Sequence, residues 1–151
     1  MLTRSDFAHR AGDWGRLLRL DAGSRFLLTF QPSASSAGCQ AAACMQAGAV
    51  LVFAPPARAW QAIAAHGVTH TVALPGMVGQ WLAELPPGFA RPASLRMLCT
   101  GAPVSPPLRA LALQRLATSL LDLYASNEAG ILAAGEALYG GGAATLLPGV
   151  R

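Results

Sequence analysis

Few side chains in this sequence could do chemistry, and their spacing removes most of the usual arrangements. His66 and His70 stand four residues apart, the spacing of a metal pair on one helix face, but Gly67 lies between them and ends the preceding helix. Without a shared face they read as a helix-end histidine and a strand histidine. His9 has no acid or cysteine partner at a spacing that reads as a triad. Cys39, Cys44 and Cys99 are odd in number and lack the paired short spacing of a zinc site, so they read as small buried hydrophobes in a reducing compartment. All eleven basic residues are arginine, scattered from Arg4 to Arg151 with no basic run and no interleaved aromatics, so the net charge of +4 does not build a nucleic-acid surface. What remains is LLDLYASNEAG, residues 120–130, an apolar run that stops at Tyr124 and is followed by Asn127, the isolated carboxylate of Glu128 and a glycine. By residue type alone, Tyr124 anchors a strand end, Asn127 favours a turn and Glu128 is a solvated loop acid; the alternative is a binding loop.

The elements that would position such a loop follow from composition and periodicity. At 151 residues, 53% hydrophobic and 12% charged, the chain has the makings of one domain with a real core. Its longest nearly apolar stretch, Ala41 to Ala57, is broken by Gln46, Gly48 and Pro55-Pro56 and falls short of the roughly 20 residues a spanning helix needs. The start MLTRSDFAHR carries no secretory pattern, so a cytoplasmic protein without a membrane span is expected. RFLLTF, AVLVF, THTVAL, SLRMLC and SLLDLY read as strands, the last least clearly, and their starts lie 24, 20, 25 and 25 residues apart. That rhythm predicts an α/β fold: a mostly parallel sheet of repeated βα units with flanking helices. A helix is expected over about Asp6 to Leu20, weakened by Gly12 and Gly15. Ser36 is the expected cap of AGCQAAACMQA with Gly48 as its exit, Pro56 and Gly67 bracket ARAWQAIAAH, and Ser105-Pro106 opens PLRALALQRLA. Beyond Gly130 the glycine density predicts loops around a small β element at the C-terminal end.

In a parallel sheet, ligands gather where strands exit at their carboxyl ends. Here those exits read QPSASSAG (31–38), PGM (75–77), TGAPVS (100–105) and YASNEAG (124–130), and the last two belong to neighbouring βα units. Taken together the segments resemble the AMP-forming, adenylate-forming superfamily of acyl-CoA synthetases and related ligases. LLTFQPSASSAGCQAAACMQAGAVLVF resembles that family's strand–proline–helix–strand segment, and THTVALPGMVGQWL its next strand, proline and helix. SLRMLCTGAPVSPPLR resembles the segment lining the adenine slot, YASNEAG the tyrosine–glycine–any–threonine–glutamate signature, and LLPGVR a later proline–glycine turn.

The resemblance implies a site. Gly101, Ala102 and Pro103 would form the adenine slot through backbone groups, Tyr124 would pack on the base, and Asn127 would stand where a threonine touches the α-phosphate. Ala125 would adjoin the nucleotide, Asp122 would be a minor ATP contact, and Glu128 would face the magnesium ion, a hard cation that prefers carboxylate oxygen. Ser35, Pro75 and Gly76 would border the acyl pocket. The implied ligands are a small carboxylic acid, ATP/AMP with Mg2+, and coenzyme A or a carrier thiol as acceptor. The departures are Ala125 for glycine, Asn127 for threonine, Ser35 where many members carry histidine, and Thr100 where glycine is common. Asn127 can still donate through its amide.

The same resemblance sets expectations for the chain as a whole. MLTRSDFAHRA resembles the sequence after the family's phosphate loop, so residues 1–151 are expected to be a partial AMP-binding (adenylation) domain lacking that loop and the C-terminal lid domain. Both carry a lysine in the family, and this sequence has none. No residue is therefore assigned a catalytic role. Three functions compete: a segment of an acid–thiol ligase, inactive alone; a noncatalytic nucleotide or acyl binding module; and a remnant that works through a complementing chain or self-associates through exposed strand edges.

Overall fold

Each of the five apolar runs becomes a strand, flanked by turn residues and followed by a helix or a hairpin. The structure is a computed structural model and describes residues 3–31, 35–126, 129–136 and 144–146. The strands are β1 (Arg25–Leu28), β2 (Val50–Phe53), β3 (His70–Ala73), β4 (Arg96–Cys99) and β5 (Ser119–Ser126), followed by β6 (Gly130–Gly135) and β7 (Ala144–Leu146). They form one sheet in the order β2-β1-β3-β4-β5-β6-β7, parallel through β5 and antiparallel from β5 to β7. The expected α/β architecture and the small C-terminal β element are both present. LLPGVR beyond Leu146 lies outside the described residues.

Helices α1 (Arg4–Leu18), α2 (Ser35–Ala47), α3 (Ala59–His66), α4 (Pro75–Glu84) and α5 (Pro106–Arg115) connect the strands. Helix α1 starts two residues earlier than expected because Thr3 and Asp6 form a reciprocal capping box: the Thr3 hydroxyl accepts from the Asp6 N–H, and the Asp6 carboxylate accepts from the Thr3 N–H. The Thr3 hydroxyl, which donates to the Asp6 carboxylate at 2.7 Å, and the Thr3 N–H hold that carboxyl below its ordinary range. Despite Gly12 and Gly15, α1 is retained by burying Ala11, Trp14 and Leu18 against α2 and β6. Helix α2 begins at Ser35, so Ser36 is a helical residue and not the expected cap. Its exit follows the expectation: Gly48 has φ +68°, and the N–H of Ala49 reaches back to the Cys44 carbonyl at 2.9 Å. Pro56 opens a short 3-10 turn (Pro56–Arg58) before α3, which Gly67 closes at φ 57°. Ser105 does precede α5, but its hydroxyl makes no capping bond.

Alternation along the strands separates two cores. Leu27, Ala73, Met97, Cys99 and Leu120 face one side with α3, α4 and α5; Phe26, Leu28, Val72, Leu98 and Leu123 face the other with α1 and α2. Strand β2 is a sheet edge and exposes Val50 and Phe53.

Candidate functional site

Parallel pairing aligns the carboxyl ends of β1, β3, β4 and β5, and these ends border a cleft of about 350 Å³. Phe30, Leu74, Thr100, Ala125 and Ser126 line it from the strand exits, while Trp14 of α1 and Ser36 and Gln40 of α2 line it from the helices. Three of its walls are thus large apolar side chains, with polar groups placed between them.

The two loops singled out in the sequence flank this cleft. Strand β4 pairs with β5 up to Cys99↔Asp122, so the 100–105 loop leaves the sheet next to the end of β5 that carries Tyr124. Gly101 sits at φ +85°, a conformation that favours glycine, and a Cβ there would lie 2.9 Å from Leu74 Cδ2, so a larger residue would also have to displace that side chain. Gly101, Ala102 and Pro103 are exposed, and the loop is anchored by the buried Val104. Opposite β6, the register of β5 shifts between Tyr124 and Ala125. Next to this bulge, Tyr124 is 54% exposed, whereas Ala125 lines the cleft.

The remaining candidates are placed as follows. Pro75 is the first residue of α4 and half-buried, and Gly76 is exposed with open space beside it. Ser35 starts α2, one residue before the cleft-lining Ser36. Asn127 and Glu128 lie outside the described residues. Asp122 departs from its expected role. It is 1% exposed, and its carboxylate lies 2.7 Å from Arg109 of α5, in ionic contact without the alignment of a hydrogen bond, so it faces the protein and not a ligand. Arg109 also donates to the Leu120 carbonyl at 2.7 Å, which ties α5 to β5.

No group of three His, Cys, Asp or Glu side chains among the described residues could hold a metal. His66 is exposed at the end of α3 and His70 is buried on β3. The three cysteines are buried and free. Burial pushes the thiol of Cys44 up to about 11, while burial and the Asp122 carboxylate push that of Cys99 up to about 12, so both stay protonated at neutral pH. Trp60 and Met77 pack against the core formed by α3, α4 and α5, and Trp81 is fully buried within it. Five cleft residues were not singled out by sequence reasoning: Trp14, Phe30, Gln40, Leu74 and Ser126. For Gln40 the alanine-rich run AGCQAAACMQA carries no signal that sets it apart from Gln46.

Comparison with known proteins places these features in a family context. The model of a protein family described as "AMP-binding enzyme" matches residues 1–149. The fold is similar to that of the N-terminal domain of FACL13 from Mycobacterium tuberculosis (TM-score 0.74, 19% identity, 87% of this chain and 35% of that one). It is also similar to MbtA from Mycobacterium smegmatis (TM-score 0.70, 25% identity, 88% of this chain and 24% of that one). A third similar structure is the O-succinylbenzoate coenzyme A synthetase MenE from Bacillus subtilis in complex with ATP and magnesium (TM-score 0.70, 20% identity, 83% of this chain and 26% of that one). The chain therefore spans 24% to 35% of the length of these chains. No curated protein matches it. Among the described residues, no helix is long and apolar enough to cross a membrane.

Proposed function

This chain belongs to the AMP-binding enzyme family, and from that premise we propose that it is a segment of an ATP-dependent acid–thiol ligase. In the full reaction a carboxylate oxygen attacks the α-phosphorus of ATP, giving acyl-AMP and pyrophosphate. A thiol, from coenzyme A or a carrier, then attacks the acyl carbon and releases AMP. The observation that carries the reading is the cleft at four parallel strand exits, lined by Thr100 at the start of the 100–105 loop and by Ala125 and Ser126, which directly follow Tyr124 on β5. Its apolar walls suit the body of an acid. The exposed ring of Tyr124 and the exposed backbone of Gly101 to Pro103 suit an adenine.

The 151-residue chain by itself forms no acyl-AMP. It contains no lysine, and charge stabilisation of the transferring phosphate is so large a term that loss of a single donor costs about 100- to 1000-fold. What this chain contributes is orientation: Tyr124 and the 100–105 loop hold the base, and the cleft excludes water from the acid. Magnesium enters as part of the substrate Mg–ATP, with Glu128 assigned to face it by position and Asn127 to the phosphate. A second reading, a noncatalytic nucleotide or acyl binding module or one that works with a complementing chain, is favoured by the same absence of lysine and by the exposed edge of β2.

Calorimetric titration tests the reading. AMP and ATP should bind weakly. Tyr124→Ala should weaken both, while Glu128→Ala should weaken ATP only when magnesium is present. Unchanged binding in both variants would mean that this surface is not a nucleotide site, and magnesium-dependent pyrophosphate release well above the Glu128→Ala background would refute the inactivity of the isolated chain.

A further inference from the structure

The cleft has a side compartment of about 40 Å³ beneath α1, and Trp14, Ser36, Ala125 and Ser126 line both spaces. A single water needs roughly 10–15 Å³, so the compartment admits a group the size of a carboxylate and not a ring. Arg10 and Asp13 of α1 line only this smaller space. Whereas Arg4 to His9 are exposed, Arg10 is half-buried, and its stem lies along Gly130 at the start of β6: a Cβ on that glycine would stand 3.7 Å from the Cγ, Cδ and Nε of Arg10. Burial raises the pKa of the Cys39 thiol on the same wall and the Arg10 charge draws it back down, so that charge is felt inside the compartment. Asp13, the acid on this wall, accepts from Arg16 and lies 3.8 Å from His9, so its charge is met within α1.

Resting on the reading of the cleft as the acid site, we infer that Arg10 selects the substrate: a short dicarboxylic acid whose second carboxylate enters the side compartment. The reacting carboxyl would stay at the strand exits of β4 and β5, where the nucleotide loops lie. A guanidinium presents five N–H donors and no acceptor in a fork that matches a carboxylate, so Arg10 can serve the ligand alongside its contacts within the protein. The hydroxyls of Ser36 and Ser126 belong to the same wall and add two further donors. A monoacid of equal length would put a methyl group there, displacing water from the guanidinium without replacing its hydrogen bonds. That loss discriminates by about tenfold to a hundredfold.

The test titrates the 151-residue chain, without magnesium, with glutarate and adipate and with valerate and hexanoate, the monoacids of the same carbon count, by ligand-observed NMR. At least one diacid should bind about tenfold or more tightly than its monoacid. Arg10→Met keeps an unbranched stem against Gly130 and removes the charge, so it should abolish the preference while leaving monoacid binding equal or improved. Arg10→Lys should retain part of it, and near-ultraviolet circular dichroism checks that both variants fold. Arg4→Met removes the same charge from an exposed position on α1 and should change nothing. Equal binding of diacids and monoacids by the unmodified chain, a preference that survives in Arg10→Met, or one lost equally in Arg4→Met would overturn the role of Arg10 while leaving the acid cleft standing. If none of the four acids binds, the acid cleft itself falls, and the inference with it.

Discussion

The two faces of the sheet are packed on different principles. On one, α3 and α4 supply Ile63, Trp81 and Leu82, and the residue after α5 supplies Leu116, large side chains that pack over Leu27, Met97 and Leu120. Even the one polar atom of Trp81 is satisfied, its indole N–H donating to the Pro56 carbonyl at 2.8 Å. On the other, α2 lays Ala37, Cys39, Ala43 and Cys44 on Phe26, Leu28, Val72 and Leu98. Such small residues cannot finish a core, so α1 reaches across with Trp14 and Leu18, and near the strand exits the coverage stops at the cleft. The closed face supplies stability. The other face accepts an unpaired amide and open space, the signature of a site where binding overrides packing.

The largest expected effect sharpens this contrast directly. Trp81→Ala removes the largest of the fully buried side chains and should cost about 3–5 kcal/mol in a urea titration. Gln40→Leu, equally buried but on the open face, should change stability by less than about 1 kcal/mol or raise it, because it deletes a desolvated amide and keeps the volume. Comparable losses from the two substitutions would show that both faces are packed for stability and that Gln40 is a structural residue.

Next in size is the ionic contact on the closed side. Arg109→Met strands the Asp122 carboxylate in a site with 1% exposure, and the expected loss is about 3 kcal/mol or more. Replacing both partners, as Arg109→Met with Asp122→Leu, should recover most of it. If the double variant is no more stable than the single one, the Arg109 contact with the Leu120 carbonyl, and not the charge pair, holds α5 to β5.

These residues also show what could be read from sequence. The strands were legible because each apolar run is bracketed by turn residues, and Gly48 and Gly67 were legible exits because both adopt positive φ. The inward turn of Asp122 was implicit in SLLDLY: Leu121 and Leu123 share one face of β5, which sends Asp122 to the other, toward α5. A helical residue was mistaken for a cap at Ser36 because serine is a common capping residue, whereas α2 starts at Ser35 and takes both serines into the helix. Gln40 could not be read at all. An amide in an alanine-rich helix reads as the solvent face, which holds for the exposed Gln46 but not for Gln40, which is 1% exposed.

A smaller effect separates two glycines at the rim of the site. Gly101→Ala combines a left-handed backbone with a Cβ 2.9 Å from Leu74 Cδ2, and about 1–2 kcal/mol should be lost as the loop lifts off β3. Gly76→Ala meets nothing within 4 Å and should be neutral or slightly stabilising in α4. Thermal denaturation distinguishes them, and equal shifts would mean that the 100–105 loop is not held against Leu74.

The smallest effect concerns pH and the face of α1 and α2. His70 is buried on β3, with its Nδ1 2.8 Å from the Thr69 hydroxyl. Burial lowers its pKa below the ordinary histidine value and the Arg96 guanidinium on β4 lowers it further, while the Asp21 carboxylate and the Leu18 carbonyl act the other way. A lowered pKa means that the unfolded chain takes up a proton before the folded one does. The stability from a neutral, buried His70 is therefore fully present above about pH 6.5 and is lost as the pH falls through the lower folded value. One group limits the slope to about 1.4 kcal/mol per pH unit. Urea midpoints should be flat above neutrality and decline below about pH 6.5. In His70→Leu the decline should begin only at lower pH, where the Asp6 and Asp21 carboxylates, both held below their usual range by hydrogen bonds, take up protons. An unchanged profile in His70→Leu would place the proton-linked instability elsewhere and leave the face of α1 and α2 distinguished by its cleft alone.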